Sequence, residues 1–301
     1  MSCVALLAPA SALAYQWPIK PFQRQHPIRG AFGDPRTLRG RIDVTFDNPV
    51  SFHDGVDIQA RDGTPVYAVA GGFVSFAGRN AIAVGSPFAV PTAAVVFGYW
   101  HIDPVVESGQ YVRRSQLLGY VHAGAGHVHL SERRFGVYVN PLRRGGLAPY
   151  ADHTYPVIRG LIVYAAATDR ELPLDAVTGR VDIAVDAYDP PAIAPWGEWS
   201  DAVWSPAHIT WSGLLDFDSA WMPRSGPGQT VDFDRLPHVA LRDVYAPGTV
   251  QNRPNLMADE RFWLVRGLDT SDLVGDHTIT VTAWDTRGNR TTRSLGLTVI
   301  G

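Results

Sequence analysis

Five side chains in this 301-residue chain are spaced as metal chemistry requires. His127 and His129 sit two apart in Gly126-His127-Val128-His129-Leu130. On a β-strand residues i and i+2 point to the same face, so both imidazoles would enter one space. His53 and Asp57, four apart and split by Asp54-Gly55-Val56, could turn a third nitrogen and an oxygen to the same point. His101 falls near the end of an apolar run, Ala93 to Ile102. Imidazole and carboxylate together suit zinc, and three protein ligands plus water make a catalytic arrangement. No His-Glu-x-x-His pattern is present, so a helix-borne glutamate base is not expected.

The elements that must position these groups read as strands. Short apolar segments recur with turn residues every eight to twelve positions, and no long amphipathic helix stands out. Thr64–Val69 and Gly72–Ala77 flank Gly71-Gly72 and read as a hairpin. Further strands are expected around Ala93–Ile102, Ser108–Val112 and Gln116–Val121. Glu132, three beyond His129, faces away from the metal on a continuing strand. Past Leu147-Ala148-Pro149-Tyr150 two similar phrases appear, Val181–Asp189 and His277–Asp285. Both alternate apolar and polar and close on aromatic-Asp. Two such strands, near the start and end of a block of about 145 residues, point to an immunoglobulin-like sandwich.

The expected class is therefore mainly β: an N-terminal antiparallel β-sheet domain over 26–150, then an immunoglobulin-like β-sandwich over 155–301. Residues 15–25, with Pro18 and Pro21, read as a linker or wrapping arm. The surplus at about 190–255 is read as a Trp-rich insertion carrying Trp196, Trp199, Trp204, Trp211 and Trp221, which could grip glycan but more often would anchor a long loop onto a core. Asp182, Asp186 and Asp189 could contribute to a calcium site, although alternation on a solvent face accounts equally well for the first two.

Composition bounds the function. The net charge of −3 gives no basic footprint for nucleic acid. No run of 18 or more apolar residues appears, so no spanning helix is expected. Residues 1–14 form a short apolar run ending Ala12-Leu13-Ala14, read as a secretory signal. The single cysteine, Cys3, lies inside it, so export without disulfides is the expectation.

The order His53-x-x-x-Asp57, Tyr99-Trp100-His101, Gly109-Gln110-x-Val112, Gln116-Leu117-Leu118-Gly119 and His127-x-His129 resembles the lysostaphin-type zinc endopeptidases, which cut peptide cross-links of bacterial cell walls. The resemblance covers His26 to Leu142. It implies zinc bound by His53, Asp57 and His129, with His101 and His127 beside the metal as catalytic groups. It implies an exported or cell-envelope hydrolase of peptidoglycan stem or cross-bridge peptides. Two other readings remain: a non-catalytic relative that binds wall or activates another hydrolase, and a structural zinc domain, which would need a closed fourth ligand.

Overall fold

The computed structural model describes residues 14–36, 51–85, 95–213 and 228–301. Most of the segment read as an export signal, and Trp221, lie outside the described residues. The chain is mainly β. Among the described residues the only helical elements are two single 3-10 turns, Gly197–Trp199 and Leu241–Asp243.

In the N-terminal part the strands are β1 (Ile28–Gly30), β2 (Pro35–Arg36), β3 (Ser51–Phe52), β4 (Gly55–Gln59), β5 (Pro65–Tyr67), β6 (Gly72–Gly78) and β7 (Ala81–Gly85). There follow β8 (Val95–Trp100), β9 (Ile102–Pro104), β10 (Tyr111–Val112), β11 (Leu117–Val121), β12 (His127–Arg134) and β13 (Val137–Val139). One antiparallel sheet runs β1-β4-β12-β8-β7-β6-β10, with β13 on β12. A second, three-stranded sheet runs β5-β11-β9. β12 lies at the centre of the large sheet, and its first six residues, His127 to Glu132, are all buried. Its two apolar residues, Val128 and Leu130, join the N-terminal core, and the alternate residues His127 and His129 face the other side.

The expected hairpin across Gly71-Gly72 is not formed. β5 pairs with β11, whereas β6 pairs with β7 and β10. The chain changes sheets at the glycines and reverses later, at Arg79-Asn80, where both residues have positive φ (46° and 61°) as a two-residue hairpin turn demands.

The C-terminal strands are β14 (Val157–Ala165), β15 (Glu171–Leu172), β16 (Arg180–Tyr188), β17 (His208–Gly213), β18 (Gly228–Asp232), β19 (Arg261–Asp269), β20 (Gly275–Trp284) and β21 (Arg290–Val299). They form two four-stranded antiparallel sheets, β15-β14-β16-β19 and β18-β17-β20-β21. The two aromatic-Asp phrases are β16 and β20, one inside each sheet. β17 and β18 come from the stretch read as a Trp-rich insertion, so part of that stretch is sheet. The alternating His208–Gly213 run was masked in the sequence by the aromatic residues around it.

Two large apolar clusters fill these parts, and each borrows from the other. The N-terminal cluster contains Tyr15, Trp17 and Ile19 of the arm, and also Trp204. The C-terminal cluster contains Phe32 and Phe52. The Trp204 indole donates to the Ile28 carbonyl at 3.3 Å, and the Tyr245 hydroxyl donates to the Gly33 carbonyl at 2.8 Å. Among the described residues, no helix is long and apolar enough to cross a membrane.

Glu132, as expected, points away from the histidines; it is itself fully buried, with the partly exposed Arg134 and Arg143 around it. It accepts two hydrogen bonds from Arg143, at 2.6 and 2.8 Å, and one from the Tyr15 hydroxyl at 2.7 Å. Removing one partner of a buried pair leaves an uncompensated charge. Glu132→Ala is therefore expected to cost about 3–5 kcal/mol, read as a lowered denaturation midpoint; an unchanged midpoint would refute this role.

Candidate metal centre

The register of β4 against β12 assembles the site. Asp57 lies directly opposite His129, and on the other side His129 faces Trp100 at the end of β8. His53 enters from the turn between β3 and β4. Its Nε2 lies 2.9 Å from His129 Nδ1 and 3.1 Å from Asp57 Oδ1; His129 Nδ1 is 3.1 Å from the same oxygen. Ligands at about 2.0–2.1 Å in a tetrahedron stand roughly 3.3 Å apart. Two imidazoles and one carboxylate at this spacing fit a zinc ion with a position left open. Gly55 is required by the close approach: a Cβ there would stand 2.3 Å from the Leu130 carbonyl oxygen and 2.7 Å from His129 Nε2.

Outer contacts aim these donors. His53 Nδ1 is 2.7 Å from the Ala31 carbonyl, so it donates there and leaves Nε2 as a lone pair. His129 Nε2 lies 3.2 Å from Asp54 Oδ1, which directs Nδ1 inward. Arg36 donates to Asp57 Oδ2 at 2.8 Å, which leaves Oδ1 turned to the two imidazoles and available to a metal. Nothing in the sequence pattern assigns a site role to Asp54 or to Arg36. For Asp54 the signal was a carboxylate beside a ligand in a turn; for Arg36 there was none, since its partner is 21 residues away.

The remaining two histidines stand beside the trio. His101 has φ 64°, at the corner where the chain leaves β8 for β9 in the other sheet. Its ring centroid is 4.4 Å from that of His127. His127 Nε2 lies 3.5 Å from Asp57 Oδ1. On its far side Nδ1 has two neighbours, the Arg29 guanidinium at 2.6 Å and the Ala125 carbonyl at 2.7 Å, which compete for one nitrogen. Arg29 itself lies over the Trp199 ring at 4.4 Å, and Gln59 exchanges two hydrogen bonds with the Trp196 backbone. The Trp-rich loop therefore braces this end of the site. The other histidines contribute nothing to it; His122 pairs with Asp103 at 2.8 Å on the surface.

Arg36, His53, Asp54, Asp57, Trp100, His101 and His129 line an open cleft of about 290 Å³. Burial, then the nearby Arg36 charge, holds His53 down to about 4. Burial and then His127 hold His101 to about 4 as well. For His129 burial acts downward, but the hydrogen bonds to Asp54 and Asp57 outweigh it and push it up to about 9. Asp57 lies well below the usual carboxylate range: burial would raise it, and His53 and Arg36 overcome that.

Residues 51–141 match Peptidase family M23. This segment is an M23 peptidase domain. That assignment rests on the family match; the solved structures add only partial likenesses. A zinc-containing peptidase from Vibrio cholerae is 23% identical, with a TM-score of 0.34, over 42% of this chain and 39% of its own. Csd3 from Helicobacter pylori is 21% identical, TM-score 0.31, over 43% and 32%. The catalytic domain of the antimicrobial peptidase lysostaphin from Staphylococcus simulans is 24% identical, TM-score 0.25, over 34% and 80%. The aligned part thus spans only about a third to two fifths of the first two chains. No curated protein matches the chain.

A metal held by this trio would have to displace a proton from His129. Below about 9 that ring is charged in the metal-free chain, so apparent zinc affinity should fall about tenfold per pH unit on acidification. His53, held at about 4, adds nothing near neutrality. Competition against a chromophoric chelator between about pH 6 and pH 8 checks this; a pH-independent affinity would contradict it.

Proposed function

We propose that this chain is an exported zinc-dependent endopeptidase that hydrolyses stem or cross-bridge peptides of peptidoglycan. The match of residues 51–141 to Peptidase family M23 supports a metallopeptidase. The observation that carries the reading is the convergence of His53, Asp57 and His129 donor atoms at the floor of an open cleft, with His101 at its wall and His127 beside it. A closed structural site would need a fourth ligand in that gap, and the group that meets the ligand spacing has three. A non-catalytic relative would be expected to lose some of these five groups, and this sequence keeps all five.

Zinc bound there would supply Lewis-acid activation of water and of the scissile carbonyl. The protein does the rest. His101, neutral at physiological pH, accepts the proton of the attacking water and returns it to the leaving amine. Arg29 cannot accept a hydrogen bond, so with Arg29 on Nδ1 the His127 proton resides on Nε2. From there it donates to the oxyanion of the tetrahedral intermediate. Exposed Trp100 offers an apolar wall for the substrate backbone. The C-terminal block over 155–301 is proposed as an immunoglobulin-like unit that supports the cleft through the Trp196–Trp204 loop, and residues 1–14 as the export signal.

His101→Ala and His127→Ala should each retain one zinc per chain and lower turnover on purified peptidoglycan by about 10²–10⁴. His129→Ala should lose metal and activity together. The measurements are elemental analysis and mass analysis of released peptides. Zinc loss in His127→Ala would reverse its role, and full activity in either the His101 or the His127 variant would remove the mechanism.

A further inference from the structure

The two aromatic-Asp phrases end at one place. Asp189 follows β16 and Asp285 follows β20, so each of the two C-terminal sheets delivers one carboxylate to the same spot. Asp152, from the connector between β13 and β14, supplies a third. Donor oxygens of the three lie within 4.8 Å of one another, and the residues are only 5%, 4% and 2% exposed for Asp152, Asp189 and Asp285. The trio expected from sequence does not form. Asp182 instead accepts from the Ala167 and Gly267 amides, and Asp186 lies 3.6 Å from Arg159.

Two of the three carboxylates are held in place by their own segments. Asp152 accepts from the Tyr150 hydroxyl at 2.8 Å, the Thr154 amide at 2.9 Å and the Thr154 hydroxyl at 2.6 Å. Asp285 accepts from the Arg287 amide at 2.9 Å, the Asn289 amide at 2.8 Å and the Asn289 side chain at 2.7 Å. Asp189 differs. Its Oδ1 is buried with no hydrogen-bond partner, and one oxygen of its carboxylate lies within 4.8 Å of oxygens of the other two acids. Arg287, the cation of the same turn, lies over the Tyr150 ring at 4.6 Å and makes no ion pair with them among the described residues. A buried carboxylate without a donor or cation is costly, and three together multiply the cost by repulsion.

We propose that Asp152, Asp189 and Asp285 bind a divalent, oxygen-preferring cation, calcium above all. Three carboxylates with no nitrogen or sulfur donor suit a hard cation, and calcium accepts irregular oxygen sets completed by water. The cation ties the connector to both C-terminal sheets, where the Asn289 side chain already donates to the Asp152 carbonyl at 3.0 Å. This site is separate from the histidine cleft and does not depend on the reading of that cleft.

The test uses the full chain, loaded with zinc and freed of calcium, with calcium alone and with terbium as a luminescent stand-in. Wild type should bind one calcium per chain and melt about 5 °C higher at a hundredfold excess over Kd. Terbium emission, excited through the neighbouring Tyr150, Tyr188 and Trp284, should appear and be displaced by calcium. Asp189→Asn and Asp285→Asn should lose the shift and the emission, while His129→Ala retains both. Absence of bound calcium and of a melting shift in wild type, at about 10 mM calcium where even weak extracellular modules fill, would overturn the site. So would an undiminished calcium response in both Asn variants. If the variants fail to fold, the wild-type stoichiometry decides alone: none bound overturns it. A wild type that binds no calcium but gains stability on mild acidification shares a proton among the acids, and that also overturns it.

Discussion

The pairing of β4 with β12 is the constraint on which the rest depends. It places Asp57 opposite His129, so two ligands are neighbours before any metal arrives. Because side chains alternate across a sheet, a slip of one residue would send His127 and His129 to the opposite face. The register is held from both sides: β1 flanks β4, β8 flanks β12, and Val56, Ile58, Val128 and Leu130 are wholly buried between them. Gly55 allows the backbones to close where any side chain would collide with the Leu130 carbonyl.

Charge around the ligands is balanced rather than simply negative. Asp54 and Asp57 both contact His129, while Arg36 takes the second oxygen of Asp57 and Arg29 stands behind His127. The guanidiniums fix which atom of each partner faces inward, and neither contributes a ligand. Specificity of aim, more than strength of attraction, is what these contacts add.

Much of this was legible in the sequence, for identifiable reasons. The i, i+2 histidines and the short His53–Asp57 loop carry local spacing that survives without coordinates, and the mainly β class followed from segment length and turn residues. What escaped depended on contacts distant in sequence. Arg29 and Arg36 act on residues 98 and 21 positions away. The Gly71-Gly72 pair looked like a hairpin, yet the strands beside it belong to different sheets, since partner choice is set by β10 and β11 arriving later. The acidic trio was misread because Asp182, Asp186 and Asp189 are close in sequence, while the actual companions of Asp189 follow another strand and come from the connector.

The exchange of aromatic residues between the two apolar clusters has a thermodynamic meaning. Trp204 completes the core beneath the cleft, and Phe32 and Phe52, which bracket the approach to His53, complete the core of the other half. Neither half can melt without opening a void in its neighbour, so the chain should behave as one cooperative unit despite its length. A fragment excised near residue 150 would then carry a vacancy where an indole belongs, directly behind the strand that supplies Arg29.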